Sequence, residues 1–403
     1  MSMLSDAADL YDDLVRLRHE LHREPEIGLE LPRTQERVLG ALDGLPLEIT
    51  TGKQLSSVTG VLRGGRPGPT VLLRGDMDAL PVAERTGVPY ASTIDGAMHA
   101  CGHDLHTSML VGAARLLAAR RAELAGNVVF MFQPGEEGFR GAGYMIDEGV
   151  LEASGERPVA AYGLHVAASL LPNGWFTARA GPMMAAADQL EVTVRGLGGH
   201  GSQPHLAKDP VPVACEMVLA LQTFVTRNFD VFDPVVLTVG SFHAGTKDNV
   251  IPDTAEFSVT LRSFSEVAHT RIRDGAVGVV RGIAAAHGLT VEAEFAMGYP
   301  VTVNDAAETA FAEGTVGSLF GADRFLRLPN PLTGSEDFSL VLDEVPGAFI
   351  FLGACPPDRD VSTAPFNHAA EAAFDDEVLT DGAALLASLA LDRLALEPIP
   401  IVT

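Results

Sequence analysis

Short apolar runs alternate with helical stripes through the first part of the chain. Leu10, Leu14, Leu17 and Leu21 recur at helical spacing, which predicts a helix over residues 8–23, closed by Glu24-Pro25. The polar cluster Arg18-His19-Glu20-Leu21-His22 reads as the solvated end of that helix. Three runs read as buried strands: Thr70-Val71-Leu72-Leu73, Asn127–Phe132 (NVVFMF) and Val159–Leu164. Between them, residues 105–124 and 141–151 carry helical patterns. Strands alternating with helices predict an α/β domain with a largely parallel mixed sheet flanked by helices.

The rhythm changes near residue 186, where Leu190, Val192 and Val194 alternate as in a half-buried strand. Asp209-Pro210 supplies an N-cap and an N1 proline for a helix reaching about Arg227. Strands are expected over 235–243 and 254–264, with Ile251-Pro252 in the turn between them. Ser263-Phe264-Ser265-Glu266 has capping-box spacing and opens a helix reaching about His287. Gly275, Gly278 and Gly282 each weaken that helix by about 1 kcal/mol relative to alanine. A strand over 289–296 completes the order βαββαβ, the ferredoxin-like α+β pattern.

The first rhythm then resumes. A helix is expected over 306–320, then Thr333-Gly334-Ser335-Glu336-Asp337 as a helix start rich in caps, the strand Ala348–Leu352 (AFIFL), and a closing helix from Asp375 to about Leu394. The first domain is therefore expected to be discontinuous, residues 1–182 and 298–403, with residues 183–297 as an inserted domain. At 403 residues, two domains are the default expectation in any case.

Composition narrows the class. With 47% hydrophobic and 20% charged residues, the chain has the make-up of a soluble globular protein. No apolar run approaches a membrane span, and MSMLSDAADLYDDL lacks a basic-then-apolar signal region. Three widely separated cysteines make no disulfide framework, which fits a reducing cytoplasm. A net charge of −25 argues against nucleic acid and anionic membranes as partners. Lys53, Lys208 and Lys247 are the only lysines, a bias that reads as GC-rich coding and not as mechanism.

In open α/β sheets ligands bind beyond the carboxyl ends of the strands. Asp76, Asp78, Glu136, Glu137 and His165 all follow or close a strand in that manner. To these the segment Met98–His106 (MHACGHDLH) adds a thiol and three imidazoles. If residues 99–103 are extended, His99, Cys101 and His103 point to one side. A thiolate with imidazoles suits a borderline-soft ion such as Zn²⁺ better than Mg²⁺ or Ca²⁺. Cys101 is a candidate bridge between two ions, and of the adjacent Glu136 and Glu137 one can bind metal while the other moves a proton. His368 follows a later strand. Asp104 is open between capping the next helix and orienting a ligand.

The chain resembles the M20 family of metallopeptidases, specifically its amidohydrolase branch of hippurate hydrolases, N-acyl-amino-acid amidohydrolases and auxin-conjugate hydrolases. The resemblance runs through RHELHREPEIG, LLRGDMDALPV, MHACGHDLHTSMLVGAARLL, FMFQPGEEGFRGAGYMIDEGVL, GLHV, GGHGSQPH, DNVIPDTAEF, TGSEDFS and FNHA. It implies that Cys101, His103, Glu137, His165 and His368 hold two divalent ions (Zn, Mn, Ni or Co), with Glu136 as general base and then acid. Asp78 matches an orienting aspartate, and Asp76 stands where many other members have a ligating histidine. His200 is implied as an oxyanion-stabilising histidine acting on the partner's site, and Asn249 and Arg262 as holders of the substrate carboxylate. The inserted domain is implied to be a lid and the dimerisation surface of a homodimer.

The implied reaction is hydrolysis of the amide of an N-acyl amino acid; a dipeptidase or carboxypeptidase reaction on short peptides is the alternative. A cysteine hydrolase using Cys101 as nucleophile leaves the glutamate pair unexplained, and a non-catalytic binding protein leaves the complete donor set unexplained. Cys215 and Cys355 read as ordinary buried cysteines, and His22, His99, His106, His205 and His243 carry no assigned role.

Overall fold

A computed structural model describes residues 2–396 of the chain. By compactness the described residues divide into one unit of residues 2–183, 303–330 and 337–396, and a second of residues 184–302 and 331–336.

The first unit is built on an eight-stranded sheet. Its strands lie in the order Leu47–Thr51, Val58–Arg63, Ala125–Gln133, Arg66–Asp76, Ala160–Ala167, Gly347–Gly353, Phe176–Ala178 and Phe325–Arg327. The middle four run parallel, and antiparallel pairings flank them on both sides. Val71, Leu72, Leu73, Val128, Val129, Phe130 and Ile350 are wholly buried, which explains why these strands read as continuous apolar runs. The helices His103–Ala119 and Val378–Ala395 pack closely on each other. Small residues allow that approach: a Cβ at Gly382 would lie 2.3 Å from the Met109 sulfur, and one at Gly112 would lie 2.7 Å from Ala383.

The parallel core matters for chemistry because its strands all deliver their carboxyl ends to one rim. Arg66–Asp76 ends at Asp76, Ala125–Gln133 leads into Glu136-Glu137, and Ala160–Ala167 carries His165 near its end.

The second unit has a four-stranded antiparallel sheet in the order Val235–Ala244, Thr254–Ser263, Ala186–Arg195, Thr290–Tyr299. This is the ferredoxin-like arrangement that its βαββαβ order predicts. Leu190, Val192, Val194, Phe257, Val259 and Leu261 alternate inward and pack with Met217, Leu221, Ile272 and Val280 of the helices Pro210–Asn228 and Glu266–Ala286. Gly275 admits the Phe224 ring, whose nearest atom lies 2.1 Å from where a Cβ would be.

Several local expectations are corrected. The helix expected over 8–23 begins only at Tyr11 and ends at Arg23 as expected, and a separate short helix, Met3–Ala8, precedes it. The N-cap of Glu266–Ala286 is Ser265, whose hydroxyl accepts from the Ala268 N–H, and not Ser263. The last strand of the inserted unit extends to Tyr299, beyond the expected 296. Residues 333–337 do not cap a helix: the next helix, Ser339–Leu342, has no side-chain cap, and Asp337 is engaged elsewhere. Cys215 is exposed, while Cys355 is buried as expected.

Candidate metal centre

The first donors arrive through a turn and not through a strand. Ala100 and Cys101 form the turn, Gly102 N–H donates to the His99 carbonyl, and Gly102 adopts φ 86° before the helix starts at His103. The extended reading of residues 99–103 is therefore corrected, and with it the expectation that three side chains converge. Cys101 and His103 share a donor cluster, whereas the His99 ring lies 6.2 Å from that of His22. Gly102 is needed twice: its φ is left-handed, and a Cβ there would meet Val166 at 2.4 Å.

Cys101 stands between two groups of donors. Its sulfur lies 3.4 Å from His165 Nε2 and 3.2 Å from His368 Nε2. His368 Nε2 is also 3.1 Å from Glu137 Oε1, and His103 Nε2 is 4.0 Å from the same oxygen. Cys101, His103 and His165 form one cluster with donor atoms within 4.8 Å of one another, Cys101, Glu137 and His368 form a second, and His103, Glu136 and Glu137 a third. The structure thus gathers all six of these residues, although His368 lies far along the chain and sits at a left-handed φ of 73°.

Asp78 aligns the glutamate pair. Its Oδ1 accepts from the Glu136 N–H and its Oδ2 from the Glu137 N–H, both at 3.0 Å, and His103 Nδ1 stands 3.5 Å from Oδ1. Asp76 sits behind the cluster. It pairs with Arg74 at 2.6 Å and His106 Nδ1 at 2.5 Å, and lies 3.6 Å from His103 Nε2. His106 accepts the Val166 N–H on Nε2, so its remaining nitrogen carries the proton given to Asp76.

Charge is arranged accordingly. Burial works to raise Asp76, but Arg74, His103 and His106 outweigh it and hold the carboxyl well below its usual range. Burial and then the Glu137 carboxylate push the Cys101 thiol up. Beside the Cys101 thiol and the Glu137 carboxylate, His368 is raised to about 10. Burial keeps His165 neutral, reinforced by His106.

These residues fit a resident metal on their own chemistry. Both ring nitrogens of His103 are buried with no hydrogen-bond partner among the described residues. Buried polar atoms left without partners are rare, and here they face a thiol, imidazoles and carboxylates of the kind that hold Zn²⁺ and related ions.

The residues expected from the inserted unit lie in its own strands and loops. His200 pairs with Val250 across a short two-stranded ribbon, and Gly201 N–H donates to the Asn249 carbonyl. His200 Nδ1 accepts from the Ser202 backbone N–H at 3.2 Å, which leaves Nε2 to carry the proton of the neutral ring. Arg262 is half-buried and donates to Thr260 Oγ1 and the Leu261 carbonyl. It lines a cavity of about 520 Å³ with Asp188, Gln189, Ser241 and Met297.

Sequence reasoning missed a charged cluster behind the turn. Arg18 and His22, expected to be solvated, are 1% and 2% exposed. Both engage Asp104 Oδ2 at 2.8 Å, and Arg18 also reaches Tyr90 and Asp376. Burial opposes the charged Asp104, but Arg18 and His22 hold its carboxyl far below the usual range. Asp104 therefore makes no cap and serves as the anchor of the helix that begins at His103. The signal was present: Arg18 and His22 fall on the same helical stripe as Leu14, Leu17 and Leu21.

Comparison with known proteins agrees with this geometry. Residues 72–392 match the family described as Peptidase family M20/M25/M40. Thermostable carboxypeptidase 2 of Saccharolobus solfataricus is 36% identical over 391 residues, spanning 96% of this chain and 97% of that protein. N-acetylcysteine deacetylase of Bacillus subtilis is 35% identical over 379 residues, spanning 94% of this chain and 96% of the relative. The crystal structure of the Bacillus subtilis YXEP protein, described as a dinuclear metal binding peptidase from the M20 family, matches with a TM-score of 0.81 at 32% identity. It covers 96% of this chain and 99% of that one. With a donor cluster assembled at the strand ends and a likeness that runs nearly end to end, this chain belongs to peptidase family M20/M25/M40 and is a metal-dependent hydrolase.

Proposed function

We propose that the chain hydrolyses the linear amide bond of N-acyl amino acids, releasing a carboxylic acid and an amino acid. Cys101, His103, Glu137, His165 and His368 would hold two divalent cations (Zn, Mn, Ni or Co), with Cys101 shared. The observation that carries this reading is the position of the Cys101 sulfur, 3.4 Å from His165 and 3.2 Å from His368, common to two donor clusters. When bound, such ions polarise a carbonyl and make a water molecule acidic near neutral pH.

The chain's own groups supply the remaining chemistry. Glu136, buried and held in register by Asp78 through its backbone N–H, takes the proton of the attacking water and returns it to the departing amine. Asp78 holds the Glu137 backbone in the same way, so one aspartate orients both the proton carrier and a ligand. His200, with Nε2 protonated, donates to the oxyanion that develops at the scissile carbonyl. The Arg262 guanidinium and Asn249 hold the substrate carboxylate, for which a planar fork of donors is suited. The inserted unit acts as lid and as the interface of a homodimer, with His200 serving the partner's site. Mixing His200→Ala with Glu136→Gln protein then restores part of the activity; no restoration at any ratio would remove the shared site.

A second reading has a specific support, the 36% identity to a carboxypeptidase. Both reactions cut an amide next to a carboxylate-bearing residue and differ in whether the other side carries a free α-amino group. A nucleophilic Cys101 is disfavoured because burial and Glu137 push its thiol up, away from the thiolate. Free cysteines throughout the chain are in keeping with the reducing cytoplasm, and no helix among the described residues is long and apolar enough to cross a membrane.

The test is a hydrolysis screen that varies acyl group and amino acid separately, beside matched dipeptides, with metal content measured on the same sample. Turnover of N-acetyl and N-benzoyl amino acids above that of the dipeptides supports the amidohydrolase. Dipeptide preference favours the second reading, and activity that survives chelation contradicts both.

A further inference from the structure

The loop that delivers His368 is fastened by its neighbour Asn367, whose side-chain amide both donates and accepts. Nδ2 donates to the carbonyl of Cys101 at 3.1 Å and to the carbonyl of Val166 at 3.0 Å, and Oδ1 accepts the Ala168 N–H at 2.9 Å. These partners are backbone groups of two segments: the turn that carries Cys101, and the strand that carries His165 together with Ala168 just past its end. The next residue along the chain is His368 itself. One amide therefore links three segments that each present a donor to the metal centre.

Two details show that this link sets side-chain geometry. The Val166 carbonyl also accepts from His165 Nδ1 at 2.8 Å, which puts the proton on Nδ1 and aims Nε2 at the Cys101 sulfur. The same carbonyl thus fixes His165 and anchors Asn367. His368 occupies a left-handed φ of 73°, a conformation that persists for a residue with a Cβ only when its surroundings enforce it. The enforcing contacts are the His368 N–H donating to the Ala100 carbonyl at 2.9 Å and the three Asn367 bonds.

We propose that Asn367 is a positioning residue that sets the spacing between Cys101, His165 and His368, and so the affinity of the centre for its cations. The proposal rests on the metal reading above. Amide orientation is the discriminating feature. With the amide reversed, or with a carboxylate in its place, an oxygen would face the carbonyls of Cys101 and Val166. Aspartate has the same shape as asparagine, so packing alone would tolerate it.

The experiment titrates Zn²⁺ into the metal-free full chain, as wild type, Asn367→Ala, Asn367→Asp and His368→Ala, and follows apoprotein melting separately. Loss of a residue that orients metal ligands typically weakens binding about 10–100-fold. That weakening is expected for Asn367→Ala, with Asn367→Asp at least as weak despite its shape. Zn²⁺ affinity within about twofold of wild type in both variants overturns the proposal, whatever happens to melting. Should Asn367→Ala not fold, the isosteric Asn367→Asp carries the test, and loss of folding in both also overturns it. If wild type takes up no more Zn²⁺ than His368→Ala, the metal reading itself fails and takes the proposal with it. That outcome is distinct from intact wild-type binding that the Asn367 variants leave unchanged.

Discussion

The donor cluster and the residues of the inserted unit proposed to meet the substrate differ in how completely the fold has assembled them. Around the centre Cys101, His103, Glu136 and His165 are buried, Glu137 is half-buried and His368 is exposed, and most are held from behind: Asp78 aligns Glu136 and Glu137, Arg74 and His106 hold Asp76, and Asn367 fastens the His368 loop. In the inserted unit His200 is exposed and Arg262 half-buried, and their partners are local, Ser202 and Thr260. Rigid surroundings suit a site that must present ligands at fixed spacing, while exposed residues with few partners suit contact with a substrate that comes and goes. Substitutions of the five proposed ligands should therefore lower metal content, whereas those in the inserted unit, like that of the proposed proton carrier Glu136, should lower turnover alone.

The largest effect is expected at Glu136. Glu136→Gln keeps the shape, so steady-state assays should show turnover down about 10²–10⁴-fold with metal content unchanged by elemental analysis. Near-normal turnover would take the proton-transfer role away from Glu136. His200→Ala should lower turnover about 10²–10³-fold, also at full metal content. A variant of His200 that arrived empty of metal would break the contrast between the regions.

Arg18 lies on the rigid side, and its loss should be felt as stability. Arg18→Met leaves Asp104 buried with its main cationic partner removed, which should destabilise the metal-free chain by about 3–5 kcal/mol in urea unfolding. A change below about 1 kcal/mol would mean that the cluster is no anchor.

The smallest effect is a pH slope. Burial lowers His99 from 6.5 to about 3, so the folded chain keeps it neutral while the unfolded chain protonates below about 6.5. The unfolded state then binds more protons, and this contribution to stability is lost as pH falls from about 6.5 toward about 3. Melting of the metal-free chain should drop between about pH 7 and about pH 5, and less steeply in His99→Leu. Equal slopes in the two proteins would refute the assignment.

Much of the scaffold was legible because its signals are local. Val71–Leu73, Phe130 and Ile350 are buried on both faces and read as unbroken apolar runs, while Leu190, Val192 and Val194 face one helical layer and alternate. The strand-end donors Asp76, Glu136, Glu137 and His165 were visible for the same reason, since a parallel sheet sends its carboxyl ends to one rim. What was missed depends on partners distant in sequence. Asp337 has the spacing of a helix cap, but Arg74, Gln133 and the Ala142 N–H claim its carboxylate. Arg18 has the pattern of a solvated helix end, but Asp104 and Asp376 enclose it. The turn at Cys101 is hidden in the left-handed Gly102, which an alternation argument treats as one more strand position.

The central claim is that one thiolate is shared by two cations, and anomalous-scattering maps from crystals of the Zn²⁺-loaded chain test it most directly. The account predicts two peaks per chain, each about 2.3 Å from Cys101 Sγ. A single peak, or two peaks of which only one or neither is bonded to that sulfur, would contradict it.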